Sequence, residues 1–282
     1  MAIVDTASGF RITLTSRFRA GNKTAIAAMG VLVLLLLLGL VVPLVAGSSN
    51  VAQQYPSLLS PSLRHPFGTD HYGRDVFLRC MAGARVDILL GLAVAASALV
   101  LGSLIGSVSA TFGGATDAVI MRLTDVFLAF PGVVLALVIA ASLGKDPWYA
   151  AIAVVIAFIP LLVRLTRSKA LEVRAADYIA AARLSGARPR QIAFQHVLPN
   201  SFKYPFVQST LVASWAILDF AALSFLGVGV QPPHAEWGAM IADGVGDNLL
   251  GAWWPSFFPG LMILLTAAAF QVIGDWLDRR LQ

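Results

Sequence analysis

The composition of this 282-residue chain excludes an ordinary soluble domain. Apolar residues make up 58% of the chain and charged residues only 12%, against roughly a quarter charged in a typical globular protein. The net charge of +5 would suit a nucleic-acid partner, but the basic residues flank long apolar runs, and membrane topology accounts for that placement. The single cysteine, Cys80, excludes an internal disulfide. The sequence therefore predicts an integral membrane protein.

Six segments, taken in chain order, fit membrane spans. A helix rises about 1.5 Å per residue, so about 20 apolar residues cross about 30 Å of hydrocarbon. The first segment lies too far into the chain, and is too long, for the roughly 7–15-residue core of a signal peptide. Gly102, Gly106 and Ala110 in the second segment predict a close approach by another helix. The six segments cover residues 25–46, 88–112, 126–143, 147–163, 204–230 and 255–274.

The distribution of Lys and Arg predicts which parts lie in the cytoplasm, because short cytoplasmic segments are enriched in these residues. Basic residues collect before the first span, between the fourth and fifth spans, and after the last span. Both termini are therefore expected on the cytoplasmic side. The predicted division is a cytoplasmic tail over 1–24, a first transmembrane helix over 25–47, an external loop over 48–85, a permease core over 86–277 that contains a cytoplasmic loop over 167–203, and a cytoplasmic C-terminus over 278–282.

The loop over 167–203 is polar, yet it is patterned as a helical hairpin. Good helix formers predict a first helix over 172–185. Gly186 is expected to end that helix in the left-handed conformation, Pro189 to start the second helix, and Pro199 to stop it. Small apolar side chains beside basic residues favour docking to a partner protein, or equally a hairpin that rests on anionic lipid headgroups.

Two stretches of this loop resemble a known family. These are residues 177–186, DYIAAARLSG, and residues 196–200, HVLPN. Both are similar to the EAA loop of binding-protein-dependent ABC importer permeases. In that family the loop contains a coupling helix that sits in a groove of the cytoplasmic ATPase. Ala180 stands where the family pattern has Glu. The resemblance implies an ATPase-coupling site formed by Asp177, Tyr178, Ala180, Ala181, Ala182, Arg183, Gly186 and Pro199.

Four further blocks, at 65–75, 122–131, 223–233 and 237–240, resemble the second permease of dipeptide, oligopeptide and nickel importers. The resemblance runs from about residue 20 to the C-terminus. It implies an all-α polytopic protein of the bacterial cytoplasmic membrane, with six transmembrane helices and a cytoplasmic coupling-helix hairpin. The implied function is to form half of an alternating-access pathway for di- or oligopeptides, or alternatively for nickel or another small solute.

The resemblance also implies the partners: a second related permease subunit, two cytoplasmic ABC ATPase domains and an extracytoplasmic binding protein. ATP and Mg²⁺ would bind on the ATPase subunits, because no Gly-x4-Gly-Lys-Ser/Thr phosphate-binding loop occurs in this chain. No cofactor and no catalytic residue is expected here. A membrane scaffold without transport, and an ion-coupled transporter that uses Asp219 as a proton carrier, are the alternatives from other classes.

Three charged residues are candidates for the pathway or an interface. Asp219 interrupts the fifth apolar segment and should face away from lipid, because a charge at the bilayer centre costs about 2.5–3.5 kcal/mol on insertion scales. A pathway role and a structural or partner contact are equally open for it. Asp125 follows Arg122 by three residues, so a local ion pair on one helix face is expected.

Residues with metal-ligand chemistry occur close together in the first external loop. They are His65, Asp70, His71 and Asp75. Their spacing, with Arg74 among them, is not that of a metal site, and no metal is expected. A folded cap or a re-entrant segment is the preferred interpretation of this loop.

Overall fold

The computed structural model describes residues 6–47, 52–144 and 146–281, with the backbone alone for residues 6–21 and 46. The described parts are helical, with an isolated β-bridge between Thr69 and Asp75. The helices are α1 (Thr6–Ala46), α2 (Val76–Phe112), α3 (Gly114–Leu128), α4 (Gly132–Leu143), α5 (Pro147–Arg174), α6 (Asp177–Leu184), α7 (Pro189–Gln191), a π-helical segment (Ile192–Val197), α8 (Leu198–Ser201), α9 (Lys203–Phe225), α10 (Trp237–Asn248) and α11 (Trp254–Leu281).

Five of these helices are long and apolar enough to cross a membrane. They are α2, α5, α9, α11 and the part of α1 over Asn22–Val45. Four of them, α1, α2, α5 and α11, extend by several residues beyond the apolar segments predicted from the sequence, and two do so at their starts by ten residues or more. The helix α1 begins at Thr6, and α2 begins at Val76, inside the segment that the sequence assigns to the first loop.

The third predicted span, 126–143, is not one helix. The chain forms α3 and α4 there, with an angle of 93° between them. Pro131 is the physical reason for the break, since proline has no N–H for the helical hydrogen bond and disfavours the helical conformation of the residue before it. The α3–α4 pair is called the bent span below.

The bent span nevertheless crosses the bundle once. Arg174, at the end of α5, donates to the carbonyl of Ala110, at the end of α2, so both helices end on the same side. The chain must therefore return to the other side before α5 begins, and only α3 and α4 lie between. Six crossings result, which agrees with the predicted fold class. Trp276 in α11 donates to Asn22 in α1 at 2.8 Å, so the first and last helices of the chain are in contact.

The two ends of the bundle differ. At one end, residues 52–75 fold over the starts of α2 and α11, where the Trp254 indole donates to the Thr69 carbonyl at 2.9 Å. These residues are called the cap, and this is the cap end. At the other end, α6, α7, the π-helical segment and α8 form the hairpin between α5 and α9. This is the hairpin end.

The helix α2 is the central packing element. A Cβ added at Gly102 would lie 2.6 Å from Leu162 Cβ, and one at Gly106 would lie 2.7 Å from the Val163 carbonyl oxygen. No side chain fits at those distances, so α2 and α5 are in backbone contact. The close approach predicted from the small residues of the second span is confirmed, and α5 is the helix that makes it.

Candidate functional site

The hairpin is present, but its first helix is shorter than expected. The expected helix over 172–185 is wrong at its start, because α5 continues to Arg174 and α6 begins only at Asp177. Ala176 between them is extended, and the acidic Asp177 occupies the first turn, where the helix dipole favours a negative charge. Gly186 ends α6 with φ +86°, and the Ala187 N–H bonds the Ala182 carbonyl at 3.0 Å, as in a Schellman cap.

Pro189 starts the second arm of the hairpin, as predicted, but Pro199 does not stop it. The π-helical segment precedes Pro199, and the Leu198 N–H bonds back to Ala193, five residues earlier. Pro199 then lies in the first turn of α8, where its missing N–H leaves no interior bond broken. The chain stays helical through Ser201, and Phe202, whose backbone also has right-handed helical angles, connects the hairpin to α9.

The hairpin is anchored to the spans by a small apolar cluster. Ile179 of α6 is fully buried, with 0% of its surface exposed. The other members come from the end of α2, the end of α5 and the second arm of the hairpin, namely Ala110, Ala170, Ile192 and Val197. Burying an isoleucine contributes about 1.5–3 kcal/mol. The cluster therefore ties α6 to two membrane-spanning helices at once.

Charged contacts reinforce this anchor. Arg167 of α5 makes a bidentate ion pair with Asp117 of α3, with N–O distances of 2.5 and 2.6 Å. The Ser109 hydroxyl of α2 donates to the same carboxylate. Together with the Arg174 contact to α2, these bonds lock α2, α3 and α5 together at the hairpin end. The sequence reasoning did not find the Arg167–Asp117 pair, because its members are 50 residues apart.

The opposite face of α6 is uncovered. Among the residues predicted to couple to an ATPase, Ala182 is half-buried and the rest are exposed: Asp177, Tyr178, Ala180, Ala181, Arg183, Gly186 and Pro199. Leu184 was missed, although it is 91% exposed and is the largest apolar side chain of this face together with Tyr178. It lies about 140° around the helix from Ile179, at 100° per residue, so a helical projection would have found it.

Asp219 lies at the break of the bent span. Its carboxylate oxygen Oδ2 is 3.9 Å from the position of a Cβ built on Gly132, the first residue of α4. Pro131 provides no side-chain cap for α4, so the nearby carboxylate compensates the positive end of that helix. Asp219 is half-buried beside the exposed Trp215 and Leu218 on α9. A pathway role remains a prediction.

The expected ion pair between Arg122 and Asp125 does not form. Asp125 accepts instead from Arg164 of α5, with an Nη2–Oδ1 distance of 2.5 Å. Both side chains of this pair are about half exposed, so its free energy is small, about 0–1 kcal/mol in water. The contact joins α3 to α5 on the same side of α5 as the Arg167 pair.

The metal-type residues of the cap are used in separate polar contacts. His65 bonds Asp75 at 2.7 Å, and His71 bonds Asp247 of α10 at 2.9 Å. Asp70 accepts from Arg74 at 2.6 Å, and Arg74 also reaches Asp243 of α10 at 3.2 Å. These bonds fold the cap and attach it to α10, which agrees with the predicted folded cap.

A buried carboxyl pair, which the sequence analysis did not identify, joins α2 to the N-terminus of α10. Glu236 is fully buried and accepts from the N–H groups of Gly238 and Ala239 at 2.9 and 2.8 Å, which caps α10. Asp87, also buried, accepts from the Trp237 N–H at 3.1 Å. The other oxygen of Asp87, Oδ1, is buried and accepts no bond from an N–H or hydroxyl group of the described residues, so a proton shared with the neighbouring Glu236 carboxyl group would satisfy it. Burial raises the pKa of Glu236, and the backbone N–H bonds oppose that rise.

A bundle of six crossings, with an anchored hairpin at one end and a folded cap at the other, is the architecture of a multi-pass membrane protein. The chain belongs to the family of binding-protein-dependent transport system inner membrane components, whose model matches residues 98–282. The family resemblance drawn from the sequence is confirmed.

Named relatives match nearly the whole chain. It is 42% identical to the probable D,D-dipeptide transport system permease protein DdpC of Escherichia coli K12, over 90% of this chain and 86% of that protein. It is 40% identical to the dipeptide transport system permease proteins DppC of Alkalihalophilus pseudofirmus, over 91% of this chain and 84% of that protein, and of E. coli K12, over 91% and 87%.

Proposed function

We propose that this chain is the membrane-spanning subunit of an ATP-driven ABC importer, and that it forms half of an alternating-access pathway for di- or oligopeptides. The names of the relatives described above, which are dipeptide permeases, support a peptide substrate. Nickel or another small solute is the alternative substrate. ATP and Mg²⁺ bind on partner ATPase subunits, and this chain has no catalytic residue of its own.

The observation that carries the coupling mechanism is the two-sided character of α6. One side is held to α2 and α5 through buried Ile179, while the other exposes Tyr178 and Leu184. Tyr178 and Leu184 are exposed beside the charged side chains of Asp177 and Arg183. Exposed apolar surface with a polar rim supports docking of a partner protein. Movement of an ATPase docked there would be transmitted directly to both spanning helices.

The proposed assembly places the hairpin and both termini in the cytoplasm and the cap outside. Basic residues at the hairpin end support this orientation. A second related permease completes the pathway, two ATPase domains dock on the hairpins, and the loaded binding protein meets the cap. The break of the bent span and Asp219 line the pathway in this scheme.

The test uses two substitutions at one position, in the complex reconstituted with its permease, ATPase and binding-protein partners. A Cβ at Gly186 meets no atom within 4 Å, so Gly186→Ala and Gly186→Arg share the same left-handed strain of about 1–2 kcal/mol and neither Cβ clashes within the chain. We expect Gly186→Ala to keep most of its peptide uptake, and Gly186→Arg to lose at least about tenfold at the same melting temperature as Gly186→Ala.

Each part of the proposal can be refuted by a separate outcome. Equal uptake by the two variants would refute docking at this surface. Uptake without the ATPase subunits would favour the ion-coupled alternative, and an assembled complex without any flux would favour a scaffold. Uptake of nickel in place of peptide would overturn the substrate and leave the coupling mechanism standing.

A further inference from the structure

A groove at the cap end of the bundle has no assigned role. It has a volume of about 750 Å³, within the size range of ligand sites. Its walls come from α1, α2, the start of α5 and the segment after α9, through Pro43, Arg85, Leu89, Trp148 and His234 among others. It lies apart from the hairpin and from the break of the bent span.

The lining is ordered along the direction in which the helices cross the membrane. The α2 residues Ala82, Arg85, Leu89 and Ala93 share one helical face, and the distance from Ala82 to Ala93 is about 16 Å at 1.5 Å per residue. The charged position is near the cap end, and the positions deeper in the bundle are apolar. This change from a charged to an apolar lining matches a phospholipid whose phosphate lies toward the cap end and whose acyl chains lie deeper in the bundle.

Arg85 is an exposed cation in apolar surroundings. Its side chain is exposed, and among the described residues no carboxylate lies within ion-pair distance of it. The side chains of α2 tilt toward the start of that helix, so the Arg85 guanidinium is directed toward the cap end, where headgroups lie. A guanidinium facing lipid without a counter-ion is unfavourable, and a phosphate group would offset that free energy with charge-assisted hydrogen bonds.

The position of Trp148 also indicates that the cap end of the groove lies at the level of the lipid headgroups. It lies in the first turn of α5 and is 72% exposed, and tryptophan is enriched at the level of the headgroups. The groove is lined by Arg85 and His234 but by no Asp or Glu. A headgroup ammonium would therefore find no counter-charge among the lining residues, which favours a headgroup without a positive charge.

We propose that this groove binds an anionic phospholipid from the membrane leaflet at the cap end, with Arg85 contacting the phosphate and Leu89, Leu90 and Ala93 contacting an acyl chain. A bound lipid of this kind fills the space between α1 and α2 and supports the contact of α5 with the segment around His234. The partner permease is the competing occupant of the same surface.

The experiment measures lipid retained by the complete importer complex. The complex is extracted in mild detergent and titrated with phosphatidylglycerol or phosphatidylethanolamine, and lipid bound to this chain is counted by native mass spectrometry. We expect wild type to prefer phosphatidylglycerol, and Arg85→Ala to bind it about tenfold more weakly. The matched control is Arg64→Ala, which removes the same charge from an exposed position in the cap.

Equal binding by the two variants and wild type, or an equal loss in both, would overturn the proposal. A second measurement keeps Arg85 in place and so does not depend on the stability of its variant. A photo-crosslinker attached at Leu89→Cys should label lipid in the assembled complex, whereas labelling of the partner permease would show that protein fills the groove. Neither readout requires peptide uptake, so failure here is separate from failure of the proposed function.

Discussion

The carboxyl pair between α2 and α10 leads to a quantitative prediction through the substitutions Asp87→Ala and Asp87→Asn. Alanine leaves the Trp237 N–H buried without its partner. Glu236, in contrast, keeps its bonds to the N–H groups of Gly238 and Ala239. A buried group that loses its partner costs about 1–3 kcal/mol, so the predicted loss is about 1–3 kcal/mol. Asparagine has nearly the same shape, accepts from the Trp237 N–H, and donates an amide hydrogen to Glu236 without needing the shared proton.

The pH dependence follows from the raised pKa of Glu236. The folded state keeps a proton that the unfolded state releases above the ordinary Glu pKa of 4.5. The stabilisation is therefore complete below that pH and is lost as the pH rises toward the folded-state pKa, by about 1.4 kcal/mol per pH unit for each proton retained. Asp87→Asn should be stable to within about 1 kcal/mol of wild type at low pH and should depend less on pH.

The assay is thermal unfolding of the purified complex between pH 5 and pH 9, monitored by the loss of the near-UV circular dichroism of its tryptophans. Wild type should lose stability with rising pH, Asp87→Asn should have a flatter profile, and Asp87→Ala should be destabilised throughout. The reasoning about the shared proton fails if Asp87→Asn is destabilised as strongly as Asp87→Ala, or if it keeps the wild-type pH profile.

Two further predictions concern packing. Gly102→Leu should lower the melting temperature by separating α2 from α5, because overpacking costs about 1–3 kcal/mol of stability. Gly30→Ala is the control and should leave the melting temperature unchanged, because an added Cβ there meets no atom within 4 Å. Equal melting temperatures of the two variants would contradict the close contact. Ile179→Ala should cost about 2–5 kcal/mol at the hairpin anchor, measured as faster amide hydrogen exchange in α6, and should reduce uptake more than ATP hydrolysis. Unchanged exchange in α6 would show that Ile179 does not hold the hairpin.

The sequence predicted the number of crossings well, because a run of about 20 apolar residues is a strong local signal. It did not predict the shape of the third span. Pro131 and Gly132 disfavour a continuous helix, but the residues on both sides of them are apolar, so the segment was predicted as one span. The structure has an angle of 93° between its two helices. The hairpin was also predicted from local signals, namely the helix end at Gly186 and the helix start at Pro189. Its predicted bounds were wrong at Arg174 and Pro199, because the helical structure continues through both residues.

Contacts between distant parts of the chain were out of reach of sequence patterns. Asp125 was assigned to Arg122 by helical spacing, but an arginine 39 residues away reaches it. The carboxyl pair joins residues about 150 positions apart, and neither residue has a neighbour that marks it as special. Buried titratable groups of this kind are specified by tertiary packing, and only the folded chain shows them.

The helix α2 is continuous from Asp75, whose side chain caps it at the cap end, to Gly113 at the hairpin end. At 1.5 Å per residue its 37 residues span about 55 Å, which exceeds the thickness of a bilayer. It bonds α10 near one end, through Asp87, and α5 at the other, through Ala110. Because the rod has no internal break, a tilt of about 5° would displace one end relative to the other by about 5 Å. A rotation of α2 by that small angle at the hairpin end would thus move its cap end, on which residues 52–75 rest, by more than the length of a hydrogen bond.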